Sequence, residues 1–143
     1  MYRTILLPID LNHEASWQQA LPVASKLAQS GGGALHLLAI APDYGLSMVS
    51  SYFPEDFERS VLQRMEAELH AFVAKHIPDL PTDRVHLAHG HIASVILETA
   101  EAIGADLIVM ASHQPDELRD FIVGSKADRV VHRSPVSVLV VRG

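Results

Sequence analysis

The chain has 143 residues, 48% hydrophobic and 20% charged, which is one domain's length with enough apolar mass for a single core. Seventeen acidic residues against 11 basic ones give a net charge of −6, which argues against a general nucleic-acid surface of clustered Lys and Arg. Cysteine is absent, which excludes disulfide and thiolate chemistry, and no apolar run approaches membrane-spanning length.

Thr4–Ile9 reads as a first strand, with no signal-peptide pattern before it, so a cytoplasmic single domain over residues 1–143 is expected. Trp17, Ala20, Leu21, Ala24, Leu27 and Ala28 then share one helical face, which Ser30-Gly31-Gly32-Gly33 ends. Pro22 falls inside that pattern, removes a bond to Gln18 and predicts a bend. Ala34–Ile40 is the second strand, followed by a connection over Ala41–Glu55 long enough to be a functional flap. Phe57, Val61, Met65, Leu69, Phe72, Val73 and Ile77 form the next helical face, stopped at Pro78.

Arg84–Ala88 is a third strand and His91–Ile103 a helix ending at Gly104. Asp106–Ala111 is a fourth strand, a short helix follows Gly124-Ser125, and Val136–Val141 closes the chain. Leu107–Met110 and Val138–Val141 are apolar on both faces, as strands covered on both sides by helices are. The regular strand–helix alternation predicts a parallel, doubly wound α/β sheet with right-handed crossovers.

Such sheets bind ligands beyond the carboxyl ends of the strands where the strand order reverses. With the first and fourth strands as neighbours, Pro8 and Asp10 converge with Ala111, Ser112, His113 and Gln114 and with Gly124, Ser125 and Lys126. Backbone N–H groups at the helix start, Gly124 to Lys126, would suit a phosphate or another anion. Asp10 also reads more simply as a cap of the turn that follows, and Gly124-Ser125 as a plain helix start.

Other motifs are blander still. The nine histidines invite a metal reading, yet zinc needs three or four converging ligands. His86 and His89 face opposite sides of a strand, so surface histidines and no metal site are expected; His113 borders the presumed crevice. Ser30–Gly33 follows a helix and lacks the lysine of a phosphate loop. The chain offers Ala88-His89 where a receiver domain needs a carboxylate, and it has no nucleophile elbow.

The opening ILLPID, GGGALHLLAI, HGHIASVILETAEAIGADLIVMASH and the GS…VVHRSPVSVLVVR ending together resemble the universal stress protein family. The loop Ala111-Ser112-His113-Gln114-Pro115 is similar to the family's F-type branch. The resemblance implies a Rossmann-like, adenine nucleotide alpha-hydrolase-like fold with strand order 3-2-1-4-5. It also implies that Asp10 contacts a nucleoside, with Pro8 near the ribose and Ile9 among the nucleotide-binding residues. Ile40 would meet the adenine edge by its backbone, and Gly124, Ser125 and Lys126 would hold phosphates. The cofactor so implied is ATP or another adenine nucleotide, and no metal is called for.

Nucleotide-binding members carry a glycine, two residues, a glycine, nine residues, then glycine and serine or threonine. Here the spacing is intact but Ala111 and Gln114 replace the first two glycines, adding side chains where backbone would approach a ligand. Asp116, Glu117 and Asp120 against Arg119 leave the next segment at −2, unfavourable beside a polyphosphate. The expectation is a non-catalytic, nucleotide-responsive stress or regulatory protein. The alternatives are a dimeric interaction module with a vestigial pocket and a weak ATPase. In the implied strand order Val136–Val141 is an apolar edge without a gatekeeping charge, which natural proteins pair or cover; the resemblance implies antiparallel pairing with the same strand of a second copy, meeting at Val138 or Leu139.

Overall fold

A computed structural model describes residues 2–42, 55–112 and 125–142 of the protein. In chain order these are β1 (Thr4–Ile9), α1 (Ala20–Gly31), β2 (Ala34–Pro42), α2 (Glu55–His76), β3 (Val85–Gly90), α3 (Ile92–Ile103), β4 (Leu107–Ser112), α4 (Ser125–Arg133) and β5 (Ser137–Arg142), with short 3-10 turns at Glu14–Ser16 and Thr82–Arg84. The five strands are parallel and lie in the order β3-β2-β1-β4-β5, as expected.

Alternation along the strands divides the core into two layers. Ile5, Leu7 and Ile9 join Leu37, Ala39, Leu107 and Val109 beneath α1 and α2, whose Ala24, Ala28, Leu69 and Phe72 cover them. Leu6 joins Leu38, Ile40, Ile108 and Met110 on the other face, beneath Ala93, Ile96 and Ala100 of α3 and Val130 of α4. Ile5, Leu6 and Leu7 are wholly buried, each such side chain contributing about 1.5–3 kcal/mol of burial.

Element ends differ from expectation in instructive ways. β2 runs on to Pro42 and pairs there with Gly90, so Ala41 and Pro42 belong to the sheet rather than to the connection. The rest of the expected flap, 43–54, lies outside the described residues. α1 starts at Ala20, after a turn in which Leu21 N–H donates to the Trp17 carbonyl at 2.8 Å. Pro22 therefore sits in the first helical turn, which tolerates proline, and not in the helix interior where the expected bend would form.

The glycine run after α1 has two separate jobs. Gly32 adopts the left-handed conformation at φ 66° that closes the helix. Gly33 then passes so near the first strand that a Cβ there would stand 2.5 Å from the Tyr2 carbonyl oxygen. The next residue, Ala34, donates its N–H to the Arg3 carbonyl at 2.8 Å and opens the pairing of β2 with β1.

A carboxylate closes the other side of β1. Asp106, just before β4, accepts the N–H groups of Arg3 and Thr4 at 2.9 and 3.0 Å and donates its own N–H to the Thr4 carbonyl at 2.9 Å. The Arg3 N–H above all holds this carboxyl below its ordinary 3.8. The folded protein thus binds that proton less tightly than the unfolded chain does. The stability involved is complete above 3.8 and falls as pH drops further. Asp106→Ala should cost about 1 kcal/mol at neutral pH, because water can replace part of the lost bonding at this partly exposed site. Urea unfolding at neutral and acid pH measures it, and the difference from wild type should shrink in acid.

Candidate functional site

The crevice begins with a proline. Pro8 is buried in a strand that has a neighbour on each side, a position where a missing N–H interrupts the ladder. The pairing of β1 with β2 runs over the whole strand, from Thr4↔Ala34 to Ile9↔Ala39. Its pairing with β4 covers only Ile5↔Leu107 and Leu6↔Ile108. Beyond Leu6 the two strands cease to be paired, at the point where the sheet's order reverses.

Asp10 follows at the carboxyl end of β1, and its loop is bonded to itself. The Asn12 N–H donates to Asp10 Oδ1 at 2.9 Å, and His13 Nδ1 stands 2.8 Å from Asp10 Oδ2. An ionised carboxylate only accepts, so His13 carries its proton on Nδ1 and presents Nε2 outward. The Asp10 N–H donates to Ser16 Oγ at 2.8 Å, while the hydroxyl proton of Ser16 reaches the carbonyls of Asp10 (3.0 Å) and His13 (2.7 Å). The His13 N–H closes a turn on the Asp10 carbonyl at 3.0 Å. The simpler reading of Asp10 is the one these bonds show: it caps its own turn, with its carboxylate half-exposed at the end of β1.

Trp17 anchors the far end of this loop. Its ring meets Phe72 of α2 edge-on at 4.9 Å and tilts over His76 at 4.6 Å, although its buried Nε1 finds no acceptor among the described residues. The 3-10 turn Glu14–Ser16 touches β4, and Leu11 and Ala111 pack against the same core layer. The ends of β1 and β4 are thus brought together, as the sequence implies.

Pro8, Ile9 and Ile40 are buried. Since Ile9 pairs with Ala39, Ile40 stands level with Asp10 on the other side of the strand from β4. Ser112 is buried at the end of β4 and pairs with Arg142 of β5, a cation that sequence reading did not place near the crevice. Ser125 and Lys126 open α4, which packs on β4. His113, Gln114 and Gly124 lie outside the described residues, as does the acidic segment between them.

The histidines correct one expectation. His86 is not an open surface residue but meets His36 of β2 edge to edge, both half-buried, toward the amino ends of the strands. Among the described residues no three His, Cys, Asp or Glu side chains gather as a metal set, and no helix is long and apolar enough to cross a membrane.

Comparison with known proteins places this geometry. The profile of the Universal stress protein family matches residues 1–142. Universal stress protein G of Salmonella typhimurium is 32% identical over 145 residues, covering 99% of this chain and 100% of that protein. A functionally unknown protein of Pseudomonas aeruginosa PAO1 shares the fold with a TM-score of 0.75 at 18% identity; the match covers 98% of this chain and 47% of that one, so the chain spans about half its length. A universal stress protein solved in complex with cAMP aligns with a TM-score of 0.61 at 21% identity, covering 99% of this chain and 97% of that one.

Proposed function

The chain belongs to the universal stress protein family, and we propose that it is a non-catalytic, adenine-nucleotide-binding regulatory protein that acts in the cytoplasm as a homodimer. The observation that carries this reading is the Asp10 carboxylate, held by Asn12 and His13 where β1 and β4 part company and level with Ile40. A carboxylate has about four lone-pair directions, so Asp10 can still accept from a ligand hydroxyl. That a related fold was solved with cAMP supports an adenine nucleotide as the ligand class. The F-type assignment rests on Ala111, Ser112, His113 and Pro115 and belongs to this proposal; the relative named above is of G type.

Ala111 and Gln114 in place of glycines favour weak polyphosphate binding and keep the second reading in view, an interaction module with a vestigial pocket. A weak ATPase has least support, because nothing in the described crevice positions a water for attack.

Titration calorimetry with AMP and ATP tests the site. Asp10→Ala removes a charge-assisted acceptor worth about 1.5–3 kcal/mol and should weaken adenosine-nucleotide binding about tenfold to a hundredfold. His13→Ala removes only an exposed partner, worth about 0–1 kcal/mol, and should change affinity by less than about fivefold. Unchanged affinity in Asp10→Ala would place the ligand elsewhere. A protein purified free of nucleotide that also ignores added ATP would favour the second reading.

The dimer is proposed from the β5 edge. β5 has β4 as its one sheet neighbour, and Leu139 on it and Val131 on α4 are large apolar side chains left 37% and 45% exposed. An open apolar edge is a template for pairing, and a two-fold axis would cover it with its own copy. Val138 packs against the inner layer, so Leu139 is the cleaner position to change. Leu139→Lys should convert dimer to monomer in size exclusion with light scattering; a wild-type mass of one subunit at micromolar concentration would remove the argument.

A further inference from the structure

His36 and His86 lie on the same face of neighbouring strands, because His86 pairs with Leu38, two residues beyond His36. Their rings meet edge to edge and nearly parallel, with centroids 5.2 Å apart and planes 9° from parallel, and His36 Nδ1 stands 2.9 Å from His86 Nε2. One of these nitrogens must carry a proton and the other must be bare for that contact to be a hydrogen bond. Two nitrogens fall short of the three or four ligands a zinc ion takes, and no further ligand joins them among the described residues.

We propose that this pair is a pH-operated latch on the edge strand β3, closed with at most one proton beyond neutrality and opened by the second. The first added proton goes to the free nitrogen of the donating ring. The shared contact keeps its donor and its acceptor, but a charge now sits in half-buried surroundings. The second goes to the accepting nitrogen and turns it into a donor. Two N–H groups then face each other, and two like charges share half-buried surroundings.

The surroundings favour the neutral state. Burial, and for His36 next the charge of His86, hold both imidazoles below their ordinary 6.5. Of the charged groups facing the pair, both belong to the 3-10 turn before β3: Arg84 lowers His36 further, and Asp83 opposes the shift at both rings. β1 presents Leu6 beside His36, and α3, packed over β2 and β3, keeps Glu98 and Glu101 exposed to solvent. The unfolded chain takes up protons at higher pH than the folded pair does. Stability is therefore full above 6.5 and is lost progressively as pH falls below it. β3 has β2 as its one neighbour, and its carboxyl end, Ala88–Gly90, pairs with Ile40–Pro42 beside the crevice, so opening the latch frees a strand that reaches the candidate site.

Hydrogen exchange on the full chain at about pH 7.5 and about pH 5 tests the latch, read as protection factors so that intrinsic exchange is removed. Amides of β3 should lose about tenfold protection relative to β1 on acidification, the equivalent of one unit of proton affinity. In His36→Gln and His86→Gln, which can still donate and accept but do not titrate, the loss should shrink to within about twofold. Parallel loss in β1 and β3, or an unchanged loss in both variants, would overturn the proposal. Should a glutamine variant fail to fold, imidazole nitrogen shifts of the wild type decide: two separated steps are expected, and two rings titrating independently would overturn it.

Discussion

The burial of β1 from Ile5 to Ile9 is the constraint on which the rest depends. A strand sealed above by α1 and α2 and below by α3 and α4 has no solvent to satisfy its backbone, so both its edges must be paired. β2 pairs along its whole length. β4 pairs only at its start, because Pro8 has no N–H to continue the ladder. The interruption falls where the order of the strands reverses, and a crevice there is the geometric result.

Two aspartates hold β1 at opposite ends, and they illustrate how one side chain serves different ends in different surroundings. Asp106 reaches across from β4 to the N–H groups of Arg3 and Thr4 and makes up at the strand's start for the short ladder. Asp10 bends back on its own loop and is bound by Asn12 and His13, leaving its carboxylate oriented but half-exposed. The first arrangement spends its acceptors on the backbone across the sheet. The second gives its acceptors to the loop that follows it and stays half-exposed.

The sheet's two edges are managed differently. β3 carries histidines and intermediate burial along its length, a polar edge whose grip on β2 depends on protons. β5 carries Val138, Leu139, Val140 and Val141, with Leu139 exposed, an edge whose natural complement is another apolar strand. The family profile spans both edges, so they belong to one unit rather than to separate modules.

What the sequence determined by itself was whatever depends on neighbours along the chain. Apolar runs marked all five strands, β1 to the residue, and glycine runs marked the helix ends at Gly32 and Gly104, because burial on both faces and left-handed caps leave local signatures. The alternation of strand and helix marked a parallel sheet, while the strand order needed the resemblance to a family. The Pro22 bend was misread because a helix start is only a residue or two from a helix interior in the pattern, and capping decides between them. Only the tertiary structure decided the contacts between residues far apart in the chain: Asp106 on Arg3 and Thr4, His36 on His86, Trp17 on Phe72 and His76. These depend on strand register and helix position, which the packing of the whole core sets and no local pattern records.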